Sequence, residues 1–508
     1  MCGILVHYSE VEADSDRFVE FPERCEPPEV QKHCDGASQE FLRLVPYIMA
    51  RGPDYASYRL EAGMGLAWFS SVLSLRQPLT PQSMAVGDRY ILQFNGELFN
   101  EDIQHNDTQY IADLLASWPV TAVIRQMYGE FAYTIFDRQD GLLYFGRDNV
   151  GKRSLCYRLD GRELHVASVS GKSQGFLNCD AGVIYTFDVH QKTLRMEERI
   201  CASPFTVSAH CESAGLEGDL DTLYEILQRS TRQSLESIQP LHSENAKHAS
   251  VLFSGGVDCS VVAALICEQW SSHKDAVLEL LNVAFENPRT GKMPEDAPDR
   301  KLAIESAAQL QKLFPEMDIR LVEVDVPYNE YLEVRPSVVD LIYPKQTEMD
   351  LSIAIAFYFA ARGRGFIHRD RHREPYNRRG LVLFSGLGAD ELYGGYHKFA
   401  NKSTEELVVE LTRQINNIHD RNLNRDDKVL ACHGVEARYP FLDEKVIKAS
   451  VALPISYKND KMILRKLARE RLHLSGISDM PKRAIQFGAR SAKMTKDSSK
   501  NGTDIIVQ

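Results

Sequence analysis

Near the middle of the chain the sequence reads Val251-Leu-Phe-Ser-Gly-Gly-Val-Asp-Cys-Ser260, an apolar run followed by a glycine turn, hydroxyls and one carboxylate. The apolar residues 251–253 predict a buried strand of a parallel sheet, and the apolar stretch 261–270 predicts a helix. The pair Gly255-Gly256 lets the backbone approach an anion closely, and the N-terminus of the helix favours negative charge. The segment therefore predicts a strand, a phosphate-binding loop and a helix.

The polar residues of this loop indicate which ligand it would bind. Ser254 and Ser260 would donate to a phosphate, and Asp258 would hold a magnesium ion. A Walker loop requires a lysine after its second glycine, and this segment has none. The loop resembles the Ser-Gly-Gly-x-Asp-Ser loop of ATP pyrophosphatases, with Cys259 in place of a serine. That resemblance implies cleavage of ATP between its α and β phosphates, and a strand-turn-helix without a ligand is the alternative.

The composition favours a cytoplasmic protein of two domains that acts on small molecules. A length of 508 residues exceeds one ordinary domain. The 71 acidic residues outnumber the 59 basic ones, and the net charge of −12 argues against nucleic-acid and membrane partners. The ten cysteines form no C-x-x-C pair, which predicts reduced thiols and no zinc site. We find no targeting signal and no apolar run of the roughly 20 residues that span a membrane.

A second candidate site lies at the start of the chain, where Cys2 follows the initiator methionine. The small side chain at this position predicts removal of Met1, which would expose the Cys2 α-amine. An α-amine has an ordinary pKa of about 8, so it can take the proton of its own thiol directly or through water. Cys2 is therefore a candidate nucleophile, and a chance cysteine is the alternative.

Three downstream segments carry groups that suit an amino-acid substrate. An arginine such as Arg51 binds an α-carboxylate with two parallel hydrogen bonds. Glu97 and Asp107 would hold an α-ammonium, and the Asn95 amide with the next backbone N–H, that of Gly96, would form an oxyanion hole. The segments are Arg51-Gly-Pro-Asp54, Asn95-Gly-Glu97 and Asn106-Asp-Thr108.

Together with 129–137 and 146–151, these segments resemble the glutaminase domain of class II glutamine amidotransferases. The resemblance implies an N-terminal-nucleophile (Ntn) hydrolase domain, an αββα sandwich, over residues 2–187. It also implies that Cys2, Asn95 and Gly96 are catalytic, and that glutamine is bound by Arg51, Asn95, Glu97 and Asp107.

The second half of the chain alternates between strand and helix patterns, which predicts an α/β domain with a parallel sheet covered on both faces. The predicted strands lie at 278–285, 319–324 and 381–384, and the predicted helices at 220–238, 300–314 and 347–364. We assign 188–219 to a linker, 220–495 to the second domain and 496–508 to a disordered tail. The basic stretch 364–379 predicts a solvated loop, with a nucleic-acid or metal role for its histidines as the alternative.

The strand at 381–384 runs into Ser385-Gly-Leu-Gly-Ala-Asp-Glu-Leu-Tyr-Gly-Gly-Tyr396, which resembles the second nucleotide loop of asparagine synthetases. The segments 436–443 and 461–465 match the same family. The resemblance implies ATP and Mg²⁺ as cofactors, with Asp258 and Asp390 on the metal and Lys461 at the transferring phosphates. The implied nucleotide-binding residues are Leu252, Ser254, Gly255, Gly256, Asp258, Cys259, Ser260, Val283, Ser385 and Gly386.

The two motif sets occur in the order found in glutamine-hydrolysing asparagine synthetases, and the resemblance covers nearly the whole chain. Within that family, 481–494 is most similar to the branch of asparagine synthetase domain-containing proteins. The resemblance implies an adenine nucleotide alpha hydrolase-like second domain of the ATP-pyrophosphatase type. It also implies glutamine hydrolysis, then ammonia transfer to an acyl-adenylate, with aspartate as the default acceptor and AMP and pyrophosphate as products.

One residue departs from the family pattern. Leu387 stands where authentic synthetases have a glutamate, which is proposed to take a proton from the attacking ammonia. Leucine cannot accept a proton, and Glu391 or Asp350 are the candidates to replace it. The departure leaves two alternatives open, a regulatory or binding protein that has lost synthesis and a glutaminase whose second domain only binds ATP. The sequence leaves the acceptor and the oligomeric state undetermined.

Overall fold

Two antiparallel sheets, packed face to face, form the first domain of the chain. The computed structural model describes residues 2–10, 15–22, 25–201, 205–209, 213–273, 275–369, 372–396, 399, 402–480, 483–494 and 504–506. The strands of the first sheet are β1 (Cys2–Tyr8), β2 (Arg17–Phe21), β3 (Tyr55–Glu61), β4 (Leu66–Val72), β9 (Cys156–Asp160), β10 (Glu163–Ala167) and β11 (Leu177–Asn178). Those of the second are β5 (Met84–Val86), β6 (Tyr90–Leu98), β7 (Gly129–Asp137), β8 (Leu142–Arg147), β12 (Val183–Asp188) and β13 (Thr193–Arg199).

The strand orders are β11-β9-β10-β1-β4-β3-β2 and β13-β12-β8-β7-β6-β5. Apolar side chains between the sheets form one core, which includes Ile4, Trp68 and Phe145. Two further cores lie on the outer faces, under the helices. These helices are α1 (Pro27–Lys32) and α2 (Gln39–Met49) on the first sheet, and α3 (Asp107–Leu115) and α4 (Val120–Gln126) on the second. The layers confirm the predicted αββα sandwich.

The second domain is built on one mixed sheet in the order β18-β17-β16-β15-β14-β19-β20. Its strands are β14 (His248–Leu252), β15 (Val277–Phe285), β16 (Asp318–Val326), β17 (Arg364–Arg369), β18 (His372–Asn377), β19 (Val382–Phe384) and β20 (Glu436–Arg438). The five neighbouring strands β16, β15, β14, β19 and β20 are parallel. The hairpin of β17 and β18 extends the sheet beyond β16, and both of its pairings are antiparallel. This architecture confirms the predicted parallel α/β domain.

Helices cover this sheet, and most of them follow the predicted alternation with strands. The helix after the glycine turn, α6, is buried on all sides, as expected for a helix in the middle of a large core. The helices are α5 (Leu216–Glu236), α6 (Val257–Trp270), α7 (Pro298–Leu313), α8 (Tyr328–Ile342), α9 (Glu348–Arg362), α10 (Ala389–Tyr393), α11 (Thr404–Asn416), α12 (Asn424–Ala431), α13 (Glu444–Val451), α14 (Met462–Glu470), α15 (Ser475–Ser478) and α16 (Ile485–Gly488). Within the described part of the chain, no helix is long and apolar enough to cross a membrane.

Three boundaries differ from the sequence predictions. The basic stretch 364–379 is the β17–β18 hairpin rather than a loop, because Phe366 pairs with Glu323 at the sheet edge. The predicted linker is shorter, since β13 pairs with β12 as part of the first domain and α5 begins at Leu216. In the predicted tail, Ile505 bridges to Thr347 and Ile506 is buried, so disorder is wrong for 504–506. The rest of that tail from 496 lies outside the described residues.

Candidate functional site

Cys2 is the first residue of β1, and it lies beside Asn95 of β6 in the facing sheet. The backbone nitrogen of Cys2 donates to Asn95 Oδ1 over 2.8 Å. Among the described residues, Asn95 Nδ2 is buried without a hydrogen-bond partner, so it is available to an oxyanion. Gly96 has a φ of 152°, and an added Cβ would lie 2.0 Å from Glu130 O. The structure therefore brings the three predicted catalytic residues of this domain together.

The pocket beside Cys2 is lined by Glu97 and Asp107, which we call the pocket carboxylates. The volume of this pocket is about 40 Å³. An arginine bridges them, because Arg76 Nη2 lies 2.5 Å from Glu97 Oε1 and Arg76 Nη1 lies 2.7 Å from Asp107 Oδ1. Arg76 also donates to Leu98 O over 3.1 Å. Sequence reasoning missed Arg76, which lies in an irregular segment after β4 and belongs to no motif.

Arg51, predicted to hold the glutamine carboxylate, lies outside the lining of this pocket. Its fully buried guanidinium lies 2.9 Å from Asp427 Oδ2 on α12 of the second domain. Arg51 Nε donates to Cys2 O over 3.4 Å. The structure thus corrects the position of Arg51, which connects the nucleophile to the other domain, and Arg76 is the cation at the pocket.

Further buried ion pairs join the two domains beside this contact. Arg153 Nη2 lies 3.1 Å from Glu130 Oε2 and 3.4 Å from Glu436 Oε1. Arg438 Nη2 lies 3.0 Å from Glu97 Oε2, and Arg438 Nε lies 2.9 Å from Glu436 Oε1. None of these five side chains is more than 3% exposed. The segment 436–443 therefore contributes to the domain interface, and it ties the pocket residue Glu97 to β20.

A second cavity, of about 450 Å³, lies at the carboxyl ends of the parallel strands β14, β15 and β19. Ligands of open parallel sheets bind at this edge. Gly256 is the N-cap of α6, so the first turn of that helix faces the cavity. The predicted residues that line it are Leu252, Ser254, Gly256, Asp258, Cys259, Val283, Ser385, Gly386, Asp390 and Lys461.

Two predicted loop residues lie behind this lining. Gly255 has a φ of 82°, and an added Cβ would lie 2.6 Å from Ala303 N, so the packing of the loop on α7 requires glycine. The buried Ser260 Oγ donates to Gly255 O over 3.5 Å, and Ser306 Oγ donates to the same carbonyl over 2.8 Å. Gly255 and Ser260 therefore shape the loop, and they do not line the cavity.

Lys461 lies between the two predicted metal ligands, Asp258 and Asp390. We call these two residues the cavity carboxylates. Lys461 Nζ is 2.5 Å from Asp258 Oδ2 and 2.6 Å from Asp390 Oδ1. The backbone of Lys461 is left-handed, with a φ of 59°, and its N–H donates to Tyr393 O over 2.9 Å. Because both carboxylates reach one point, they fit a Mg²⁺ ion held by two carboxylates and the phosphates of a nucleotide.

Comparison with known proteins divides the chain into the same two domains. The profile of the asparagine synthase family matches residues 231–409 and 400–501, and that of a glutamine amidotransferase domain matches residues 71–172. An asparagine synthetase domain-containing protein of Saccharomyces cerevisiae is 56% identical, over 100% of this chain and 99% of the yeast protein.

The chain belongs to the asparagine synthase family. Asparagine synthetase domain-containing protein 1 of Gallus gallus is 28% identical over 92% of this chain and 96% of that protein. The glutamine-hydrolyzing asparagine synthetase of Bos taurus is 23% identical over 79% of this chain and 72% of that protein. As a member of this family, the chain combines a glutamine amidotransferase domain with an asparagine synthase domain.

The cavity of this asparagine synthase family member also contains Leu387 in its lining. Asp350 lines the same cavity, but its carboxylate accepts from Arg425 Nη1 over 3.0 Å and from Thr347 Oγ1 over 2.6 Å. Glu391 is buried outside the lining. Asp350 is thus an ion-paired member of the lining, whereas Glu391 lies behind it. Sequence reasoning also missed the basic side chains of the lining, which come from separate segments: Lys345, Arg421, Arg425, Arg465 and Arg483.

Burial sets the protonation of the groups in the first pocket. It raises the pKa of the Cys2 thiol to about 11, so the thiol requires a base. Burial and then the Asp107 carboxylate raise the pKa of Glu97, whereas Arg438 and Arg76 oppose this shift. Burial also raises the pKa of Asp107 to about 6, against Arg76. Arg76 and Arg438 therefore favour the ionised form of these carboxylates against the effect of burial, and a bound α-ammonium would act in the same direction.

Proposed function

We propose that the chain is a glutamine- and ATP-dependent amidotransferase that transfers ammonia to an acyl-adenylate, with aspartate as the default acceptor. One observation carries this proposal. Arg51 contacts both Cys2 O and Asp427, and the residues before Asp427, which are Arg425 and Asp426, line the nucleotide cavity. The proposed nucleophile is thus connected to α12, whose preceding residues line the proposed nucleotide site, through the buried ion pair of Arg51 with Asp427.

In the first half-reaction, the Cys2 thiolate attacks the carboxamide carbon of glutamine. With Met1 removed, the Cys2 α-amine takes the thiol proton and returns it to the leaving nitrogen, so that ammonia departs. Asn95 Nδ2, which has no hydrogen-bond partner among the described residues, donates to the developing oxyanion. Water then cleaves the γ-glutamyl thioester and releases glutamate.

In the second half-reaction, the side-chain carboxylate of the acceptor attacks the α-phosphorus of ATP, and pyrophosphate leaves. Asp258 and Asp390 would hold Mg²⁺, which neutralises phosphate charge, and Lys461 would add its own charge to the phosphates. Ammonia attacks the acyl carbon, a proton leaves the nitrogen and AMP departs. Because Leu387 cannot accept this proton, another group or water must take it.

A binding or regulatory protein that has lost synthesis is the second candidate. Two observations favour it, the leucine in the cavity lining and the filling of the glutamine pocket by Arg76. A glutaminase with an ATP-sensing second domain is the third. These candidates differ in their products, since only the amidotransferase releases AMP and pyrophosphate.

The test supplies purified protein with ATP, Mg²⁺ and a panel of amino acids, and either glutamine or ammonium as the nitrogen source. Glutamate, AMP and pyrophosphate are measured together. We expect Cys2→Ala to remove glutamine-dependent product formation and to retain the ammonium-dependent reaction, because the half-reactions use separate sites. Cys201→Ala, at an exposed cysteine, serves as the matched control. Glutamate release by Cys2→Ala at the wild-type rate would refute the assignment of Cys2.

A further inference from the structure

The glutamine pocket contains a cation of the chain at the place where the substrate requires one. The pocket carboxylates are the groups suited to an α-ammonium, and Arg76 contacts both of them at 2.5 and 2.7 Å. An ammonium and a guanidinium both donate hydrogen bonds and carry one positive charge. Arg76 and a bound amino acid would therefore compete for the same two carboxylates.

The size of the pocket leads to the same conclusion. Its volume of about 40 Å³ has room for about three water molecules, at roughly 10–15 Å³ each. Glutamine has ten non-hydrogen atoms, so it does not fit beside Arg76. The Arg76 side chain is 14% exposed, and Pro78, two residues further along the chain, is exposed as well. Arg76 therefore lies on an irregular segment that reaches the protein surface.

We propose that Arg76 is an internal competitor of glutamine, whose guanidinium occupies the pocket carboxylates until it swings toward solvent. The proposal rests on the proposed function, in which glutamine reacts at Cys2. Its consequence is quantitative, because a ligand that binds only the open state has its affinity reduced by the fraction of molecules that are open. Arg76 therefore determines the glutamine concentration at which the first half-reaction begins.

The test uses 6-diazo-5-oxo-L-norleucine, a glutamine-shaped diazoketone, on the full chain after removal of Met1. In the pocket, a bond forms between Cys2 Sγ and the diazo carbon, that carbon takes the thiol proton, and dinitrogen leaves. Intact mass measures the rate of labelling. We expect Arg76→Ala to raise the second-order labelling rate at least tenfold, while Arg125→Ala, at an exposed ion pair with Glu198, leaves it unchanged.

A second probe separates competition for the carboxylates from a general opening of the pocket. The analogue 6-diazo-5-oxohexanoate lacks the α-ammonium, so it gains less from Arg76→Ala than the amino-acid probe does. Millimolar guanidinium should slow labelling of Arg76→Ala and leave the wild type unaffected, because it refills the empty position. Equal gains for the two probes would overturn the proposal.

Folding of the variant is checked by thermal unfolding. If Arg76→Ala does not fold, Arg76→Gln carries the test, since it removes the charge and keeps part of the side-chain volume, and a wild-type labelling rate would then refute the proposal. Fast labelling of the wild type, with no gain in either variant, would refute the competitor and support glutamine chemistry at Cys2. A folded Arg76→Ala that is not labelled at Cys2 would refute the proposed glutamine chemistry itself.

Discussion

The pocket beside Cys2 and the cavity at the strand ends, the proposed sites for glutamine and for the nucleotide, use the same arrangement at very different sizes. In each, one basic side chain bridges two carboxylates: Arg76 between the pocket carboxylates and Lys461 between the cavity carboxylates. The pocket measures about 40 Å³ and the cavity about 450 Å³. The bridging cation therefore fills the first site, whereas the second has room for a ligand beside it.

The difference shows what a buried ion pair does in each place. A buried pair offsets much of its own desolvation, and removal of one partner leaves an uncompensated charge. In the pocket, a substrate ammonium can replace the arginine charge for charge. In the cavity, phosphates and Mg²⁺ can join Lys461 and the carboxylates, so binding does not require that the lysine leave.

The largest expected effect concerns the connection between the two sites. Asp427 Oδ2 accepts from Arg51 Nη2 over 2.9 Å and from Ser154 Oγ over 2.6 Å. Burial raises the pKa of Asp427, but Arg51 and Arg153 outweigh it and hold the pKa below its ordinary value. We expect Asp427→Asn to lower the free energy of unfolding by roughly 3–5 kcal/mol, because it leaves buried arginines uncompensated.

Urea unfolding followed by tryptophan fluorescence would measure this loss. Asp420→Asn is the matched control, since Asp420 pairs with Lys345 at 2.8 Å and its side chain is 50% exposed. Its expected effect is about 1 kcal/mol or less. A loss of that small size for Asp427→Asn as well would mean that the two sites are not held together by this contact.

The next effect concerns nucleotide binding in the cavity, which we expect to depend on Mg²⁺, whereas glutamine binding in the pocket should not. We expect Asp258→Asn and Asp390→Asn each to weaken binding of a non-hydrolysable ATP analogue with Mg²⁺ by about 10- to 100-fold, because each removes a carboxylate that we propose as a ligand of the ion. Calorimetry with and without Mg²⁺ measures this loss, which should disappear in EDTA. Asp479→Asn, at an exposed carboxylate, is the control. Unchanged affinity in both variants would show that the two loops do not face one nucleotide.

The glycine loops could be predicted because their pattern is local. The strand predicted at 251–253 is β14, which ends at Leu252, and the helix predicted from residue 261 begins earlier, at Val257. The sequence boundary was late because the loop residues 257–260 form the first turn of α6. Polar side chains in a first helical turn read as loop when they are judged by hydrophobic periodicity alone.

The contacts between distant residues could not be predicted in this way. Arg51 and Asp427 are 376 positions apart, and no spacing relates them. Arg76 reaches the pocket from an irregular segment, where its identity carries no structural signal. The hairpin at 364–377 has mostly exposed side chains, so its composition resembles a loop although its backbone pairs with the sheet edge. Each of these features depends on tertiary contacts rather than on local pattern.

The smallest expected effect concerns a further carboxylate of the cavity lining, Asp299. Asp299 is buried at the start of α7 and packs against Gly488, where an added Cβ would lie 2.0 Å from Asp299 Oδ2. Burial raises the pKa of Asp299 to about 7, and Arg483 opposes this shift. Asp299 therefore takes up a proton near neutral pH.

The sign of the pH effect follows from this raised pKa. The unfolded chain ionises Asp299 near its ordinary pKa of about 4, so folding loses stability as the pH rises toward the folded value of about 7. Between pH 6 and pH 7.5, we expect the wild type to lose about 1 kcal/mol relative to Asp299→Asn. Urea unfolding of both proteins at both pH values gives this double difference, in which other titrating groups cancel. Parallel pH dependence would mean that Arg483 keeps Asp299 ionised in the folded protein.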